Sequence, residues 1–206
     1  MARPKDYLDE VYKLEDAEET RALYDEWAET YDDTLNESGY VTPDRCAEAL
    51  AQFAPDPEMP LLDFGCGTGR SGVALHAQGF TTLDGIDLSP GMLAVARQRG
   101  LYRNLIEAPG NGPLPIDPAS YGLITAVGVI GAGAAPLSVF DELMTALAPG
   151  GLFAFSFNDH TLEDPVFEGR VAEYADTGAA GILFREHGDH LPAMELGAVV
   201  YVLQKR

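Results

Sequence analysis

Cysteine and basic residues are scarce in this chain, and long apolar runs are missing. Among 206 residues there are two cysteines, Cys46 and Cys66, too few for a disulfide framework or a thiolate zinc site, so no metal is expected. Lys and Arg number 13 against 33 Asp and Glu, a formal charge of -20. Such a surface repels a polyanion, and no basic patch offsets it, which argues against nucleic acid as a partner. The plainer role of the charge is a solvated acidic surface that keeps the protein soluble. No run approaches the roughly 20 apolar residues that span a bilayer. Met1 to Asp6 leads into acids rather than the apolar core of a secretion signal, so a cytoplasmic protein with no membrane partner is expected.

What is present suffices for a folded core. Hydrophobic residues make up 46% of the chain, and the length fits one domain at roughly 100 to 200 residues per domain. A single domain over 1–206 is expected, with a helical cap at 1–54 and the core at 55–206.

The most informative stretch is Leu61-Leu62-Asp63-Phe64-Gly65-Cys66-Gly67-Thr68-Gly69, with Asp87 closing the next apolar run. An apolar strand that enters alternating glycines predicts a sharp turn beside a ligand, because a Cβ would obstruct the dihedrals or the ligand's approach. Two readings remain open on these residues alone. Gly67-Thr68-Gly69-Arg70-Ser71-Gly72 matches the dinucleotide pattern G-x-G-x-x-G, with Asp87 near the expected ribose-binding offset of roughly 20 residues. Asp63 followed by Gly65, Gly67 and Gly69 instead has an acid ahead of a G-x-G-x-G run. A tight strand-to-helix turn without a ligand is the structural alternative.

Elsewhere, apolar spacing predicts a helix over 16–34 carrying Leu23, Tyr24, Trp27 and Tyr31, and another opened by Thr42 as cap with Pro43 in its first turn. Strands follow at 61–64, 81–86, 102–106, 123–129 and 152–157, with helices at 70–78, 90–100 and 137–147 between them. Ser89-Pro90 marks a helix start, Gly79 and Gly100 mark stops, and 109–118 is a glycine- and proline-rich loop. This alternation predicts an α/β fold, a doubly wound and mostly parallel sheet. The rhythm ends with two strands at 181–186 and 198–203 joined by the polar stretch 188–195, which predicts an antiparallel C-terminal hairpin and seven strands in all. Phe167, Val171 and Tyr174 place a helical cover between the fifth strand and that hairpin.

Taken together, the chain resembles the class I S-adenosylmethionine-dependent methyltransferases. The resemblance rests on Asp63 to Gly69, on Gly85-Ile86-Asp87-Leu88-Ser89-Pro90-Gly91-Met92-Leu93, on Val127-Gly128-Val129, and on Leu147-Ala148-Pro149-Gly150-Gly151-Leu152. The N-terminal text Tyr24-Asp25-Glu26-Trp27-Ala28-Glu29-Thr30-Tyr31-Asp32 and Gly39-Tyr40-Val41-Thr42-Pro43 is most similar to the Williams-Beuren syndrome region methyltransferase-like proteins.

The resemblance implies a Rossmann-like methyltransferase domain, S-adenosylmethionine as cofactor and S-adenosylhomocysteine as product. It implies that Trp27 and Tyr31 close over the cofactor and that Gly65, Cys66, Gly67 and Gly69 border its methionine portion. Asp63 would orient the loop by accepting amide hydrogen bonds or reach the ammonium through water. Asp87 would accept the ribose hydroxyls, Leu88 and Met92 would pack on adenine, and Gly128 would lie at the end of the fourth strand. The family's usual adenine-binding acid is replaced by Pro109, leaving Asn111 or Glu107 to accept the amino group. Arg70 either pairs with the cofactor carboxylate or is solvated.

Methyl transfer is an in-line displacement from an already activated sulfonium, so positioning outweighs acid-base groups. Asn158 and His160, after the fifth strand, are the candidate catalytic residues, with His187 and His190 behind them. A small-molecule acceptor is expected from Phe157, Phe167 and Tyr174 nearby. A noncatalytic S-adenosylmethionine-binding protein and a nicotinamide-dependent oxidoreductase are the alternatives.

Overall fold

In the computed structural model, residues 17–131 and 133–206 are described. The first residue of the expected N-terminal helix, Asp16, and the first sixteen residues of the expected cap therefore lie outside them. The elements in chain order are α1 (Ala17–Trp27), α2 (Tyr31–Ser38), α3 (Thr42–Ala51), β1 (Leu61–Phe64), α4 (Arg70–Ala77), β2 (Leu83–Asp87), α5 (Pro90–Arg99), β3 (Tyr102–Glu107) and β4 (Tyr121–Ala126). They continue with α6 (Ser138–Ala146), β5 (Leu147–Asn158), α7 (Asp159–Leu162), α8 (Pro165–Asp176), β6 (Ala180–Leu191), a 3-10 turn (Pro192–Met194) and β7 (Leu196–Lys205).

Seven strands form one sheet in the order β3-β2-β1-β4-β5-β7-β6. The pairs among β1 to β5 are parallel, whereas β7 runs antiparallel to both β5 and β6. This is the expected mostly parallel α/β sheet with its antiparallel C-terminal strand. Between β1 and β4 the strand order reverses, so the loops at their carboxyl ends part and leave a crevice.

Both faces of the sheet are covered, and the strands alternate accordingly. On β5 and β7, Phe153, Phe155, Phe157, Val199, Tyr201 and Leu203 pack toward Phe140 of α6 and Phe167 of α8. Leu152, Ala154, Val200 and Val202 face the other layer, where Cys46 and Leu50 of α3 and Leu75 of α4 complete the core. Phe155 lies at the centre of an aromatic cluster, stacked on Tyr201 at 4.9 Å between centroids and edge-on to Phe140 at 5.2 Å.

Three expectations are corrected. The helix expected over 16–34 is broken after Trp27, and α2 restarts at Tyr31. Burial of Trp27, whose indole N–H donates to Thr34 Oγ1 at 3.3 Å, fixes the turn between them. Thr42 does not cap α3; Val41 occupies that position, and the Thr42 hydroxyl pairs with His190 Nδ1 at 2.8 Å. The sixth strand runs to Leu191 instead of ending at Glu186. Backbone pairing with β7 carries this exposed polar stretch, helped by Arg45 of α3, whose guanidinium donates to the carbonyls of Glu186, Asp189 and Ala198. Ser89 caps α5 as expected, accepting from Met92 N at 3.0 Å.

Among the described residues no helix is long and apolar enough to cross a membrane, and no group of three or more His, Cys, Asp or Glu could hold a metal ion. Phe155→Ala should lower stability by about 3–5 kcal/mol through the cavity it leaves. Ile182→Ala, at an edge-strand side chain 44% exposed, should change it by no more than about 0.5 kcal/mol. Urea unfolding of the two variants measures both, and equal losses would contradict this placement of the core.

Candidate active site

Past Phe64 the chain turns through Gly65, Gly67 and Gly69, all at positive φ. The amides of Gly65 and Cys66 donate to Ile86 O at 2.8 and 3.1 Å, which presses the loop onto β2. A Cβ at Gly65 would lie 2.2 Å from Val129 Cγ2, whereas at Gly67 nothing stands within 4 Å. The loop is therefore filled on one side and open on the other. Cys66 points beneath the loop, its Sγ packed against Gly85, and burial pushes its thiol pKa well up. Its side chain thus packs inside, and only its backbone borders the open face.

Asp63 is fully buried and accepts from Ser71 Oγ at 2.6 Å, Tyr102 OH at 2.7 Å and Thr125 Oγ1 at 3.0 Å. Hydroxyls from α4, β3 and β4 thus take the place of the expected backbone amides. Burial raises its pKa, and the three hydroxyls oppose that rise. Asp63 organises the loop from below.

Asp87 ends β2 at the rim of the loop. Its Oδ2 accepts from Gly67 N at 2.8 Å and its Oδ1 from Ser89 N at 2.9 Å. Burial raises its pKa to about 6 despite these bonds, and the nearby charge of Asp63 adds to the rise. Each carboxylate oxygen has a second lone pair, so the group can accept two further hydrogen bonds.

The two N-terminal helices lie across this crevice through a set of polar contacts. Arg21 pairs with Glu107 at 2.6 Å. Asp25 accepts from Ser89 Oγ at 2.5 Å and Gly91 N at 2.9 Å, completing the first turn of α5. Asp32 accepts from Thr68 Oγ1 at 2.6 Å and also pairs with Arg99. Arg70 is engaged by Asn36 Oδ1 at 2.8 Å, yet its Nε is buried without a hydrogen-bond partner. An orphaned donor of this kind fits an anionic ligand group.

Leu88 is half-buried beside Gly110, and Met92 is buried in α5. Asn111 is exposed on the loop after β3. Glu107 is taken up by Arg21, which leaves the half-buried Leu88 and the loop backbone as the nearer surroundings for a base.

Beside the crevice, α1, α2 and the carboxyl ends of β4 and β5 enclose a cavity of about 70 Å³. Tyr24, Trp27, Tyr31 and Tyr40 form much of its wall, and Gly128 and Ser156 lie at its base. Trp27 and Tyr31 meet edge to face at 4.6 Å. No charged residue lines it among the described residues. Gly128 N donates to Ser156 Oγ at 2.9 Å. The Ser156 hydroxyl also bonds Cys46, whose buried thiol pKa is pushed up to about 12.

Of the sequence-derived catalytic candidates, Asn158 lines the cavity, with its Oδ1 committed to Thr161 N at 2.9 Å. His160 does not line it; its side chain is 49% exposed and lies 3.6 Å from Glu163. His187 pairs with Asp159 on the surface. His190, ranked behind Asn158 and His160 in sequence, is the histidine that reaches the cavity. Its carbonyl accepts from Val41 N at 3.2 Å, so the end of β6 is bound to the α2–α3 junction. That contact brings together residues about 150 apart, and no local pattern announces it; Tyr40 was quoted in the N-terminal text without a role.

Comparison with known proteins agrees with this geometry. A family model described as a methyltransferase domain matches residues 40–199. Methyltransferase-like protein 27 of Homo sapiens is 37% identical over 63% of this chain and 54% of its own length. A trans-aconitate 2-methyltransferase of Rhizobium leguminosarum bv. trifolii is 32% identical over 55% of this chain and 44% of that one. An 18S rRNA (guanine(1575)-N(7))-methyltransferase of Saccharomyces cerevisiae is 28% identical over 62% and 51%. The chain spans about half the length of the curated relatives it matches. An S-adenosylmethionine-dependent methyltransferase structure from Mesorhizobium loti shares the fold with a TM-score of 0.57 at 19% identity, covering 79% of this chain and 100% of that one. The chain belongs to the methyltransferase domain family, among the class I S-adenosylmethionine-dependent methyltransferases.

Proposed function

We propose that the protein transfers a methyl group from S-adenosylmethionine to a small-molecule acceptor, with 55–206 as its catalytic core and 1–54 as a cap over the bound molecules. The observation that carries this reading is the adjacency of two sites at the carboxyl edge of the sheet. One is a glycine cradle bordered by the half-buried Asp87, and the other is an uncharged aromatic cavity reached at Gly128, just past β4.

The residues present fit the cofactor. The open side of Gly67 admits its backbone contacts, and the Gly65 to Gly67 carbonyls suit an ammonium. The spare lone pairs of Asp87 suit ribose hydroxyls, and the orphaned Nε of Arg70 suits a carboxylate. Leu88 and the face of α5 around Met92 offer apolar surface to a purine. When bound, S-adenosylmethionine supplies an electrophilic methyl group. Trp27 and Tyr31 exclude water from the space above the loop, and the cavity wall orients the acceptor. An uncharged aromatic enclosure supports a small reactive molecule over the surface of a macromolecule.

Calorimetric titration with S-adenosylhomocysteine and with a nicotinamide dinucleotide tests the cofactor half of this reading. Saturable binding of the first alone is expected, and binding of the second alone would reject it. Labelled methyl should then enter a small-molecule fraction of a cell extract; label entering only RNA or protein would reject the acceptor class.

Asp87→Ala should weaken S-adenosylhomocysteine binding by about one to two orders of magnitude, the loss of two hydroxyl contacts to a charged acceptor. Unchanged affinity in a folded variant would remove the ribose role.

The same affinity should depend on pH. The folded pKa of Asp87 is raised to about 6, so its carboxylate is charged above that value and protonates as pH falls through it. Only the charged form accepts both hydroxyls well. Affinity should therefore hold from pH 8 toward 6 and then fall by up to about tenfold per pH unit. Asp87→Asn should flatten that profile, and a wild-type affinity constant down to pH 5 would contradict the assignment.

A further inference from the structure

The cavity beside Gly128 holds hydrogen-bonding groups that the fold leaves unused, and their chemistry narrows what it binds. Most of its polar wall is spent. Ser156 is shared between Gly128 N and Cys46, and Asn158 Oδ1 caps α7. Two groups remain. The Tyr40 hydroxyl makes no hydrogen bond among the described residues, although the residue is largely buried. The His190 ring is bonded through Nδ1 alone, leaving Nε2 for a ligand.

Hydrogen bonding decides which proton the imidazole carries. The Thr42 side chain is fully buried, and its hydroxyl has one partner, His190 Nδ1 at 2.8 Å. If Thr42 accepted that bond, its own O–H would be buried unpaired, at a cost of roughly 1–3 kcal/mol. The hydroxyl therefore donates, Nδ1 accepts, and the remaining proton sits on Nε2. Tyr40 holds the ring in place edge-on, with centroids 5.1 Å apart.

Both residues border one point. A Cβ built on Gly128 would lie 2.8 Å from Tyr40 Oη and 3.9 Å from His190 Cε1. Glycine leaves that point empty. Both groups are also held uncharged. Burial lowers the His190 pKa to about 4, with Arg45 and His160 lowering it further and Asp159 opposing them, and burial raises that of Tyr40. None of these three neighbours lines the cavity.

Two neutral donors in an aromatic enclosure select an oxygen with free lone pairs, and low polarity strengthens the bonds when that oxygen carries charge. No Lys or Arg lines the cavity among the described residues, so nothing there matches the several carboxylates of an acceptor such as trans-aconitate. The four aromatic side chains favour a planar ring.

We propose that His190 Nε2–H and the Tyr40 hydroxyl bind the oxygen of a phenolic acceptor in its deprotonated form, beside Gly128. This rests on the methyltransferase reading, since it identifies the acceptor of that site. The phenol loses its proton to solvent before or during binding, so no side chain acts as base, and the oxygen is left as the nucleophile. His190 and Tyr40 are positioning groups that lower the pKa of the bound hydroxyl.

The test uses the full chain saturated with S-adenosylhomocysteine and 4-nitrophenol as probe, because the two forms of that phenol differ in colour. Saturation is first established by calorimetry. The apparent pKa of the bound phenol should fall by about one unit, corresponding to about tenfold tighter binding of the phenolate than of the phenol. Tyr40→Phe should remove about half of that shift, and His190→Phe most of it. His190→Gln, which restores an N–H donor, should recover part of it and guards against a folding defect in the phenylalanine variant. Benzoate should bind more weakly than 4-nitrophenol.

If S-adenosylhomocysteine binds but the phenol does not, or binds with an unshifted or raised pKa, the inference is overturned and the methyltransferase reading stands. Tighter binding of benzoate, or an equal shift in both phenylalanine variants, overturns it likewise. If S-adenosylhomocysteine itself fails to bind, both readings fall.

Discussion

A carboxylate with no access to solvent governs the layout of this protein. Asp63 sits under the glycine loop, and its burial is tolerated because Ser71, Tyr102 and Thr125 each direct a hydroxyl at it. Those hydroxyls come from α4, β3 and β4, so the bonds that neutralise one unfavourable burial also tie the elements flanking β1 to one another. The loop above inherits its shape from this arrangement. With β1 anchored, Gly65 meets Val129 and Gly67 is left facing open space. Losing one of the three hydroxyls would leave a buried charge undercompensated, which costs more than an ordinary hydrogen bond contributes.

The second acid, Asp87, obeys the opposite logic. It is half-buried, with two backbone amides for company and a pKa pushed up to about 6. A carboxylate left partly uncompensated at the rim of a crevice is stabilised by a ligand that brings hydroxyl donors, whereas Asp63 has no such need. Two acids 24 residues apart thus divide the work: one organises the loop from below, and the other keeps lone pairs free at its rim, where a ribose is proposed. The N-terminal helices complete the enclosure through Asp25 and Asp32, whose partners lie on α5 and on the loop itself.

Much of the core was legible because its signals are local. Continuous apolar runs at β1, β4 and β5 mark buried strands, and the glycines mark the turns between strand and helix. The antiparallel hairpin followed from the same text, as did the place of Asp87 at the end of β2. The features that escaped it depend on tertiary contact. The break between α1 and α2 comes from seating Trp27, which a helical stripe of aromatics cannot show. The length of β6 comes from pairing an exposed, mostly polar edge with β7, where no alternation survives in the side chains. His190 reached the cavity, and His160 did not, because the far end of that edge strand is bonded to Val41. Thr42 has the composition of a helix cap, and a histidine from the other end of the chain takes its hydroxyl instead.

In the proposed function the glycine loop and Asp87 seat S-adenosylmethionine so that its sulfur opens onto the cavity at Gly128. A crystal structure of the protein with S-adenosylhomocysteine tests this most directly. The ribose hydroxyls should lie within hydrogen-bonding distance of Asp87, with the sulfur facing the space between Gly128, Tyr40 and His190. A ligand whose ribose avoids Asp87, or whose sulfur is walled off from that cavity, would contradict it.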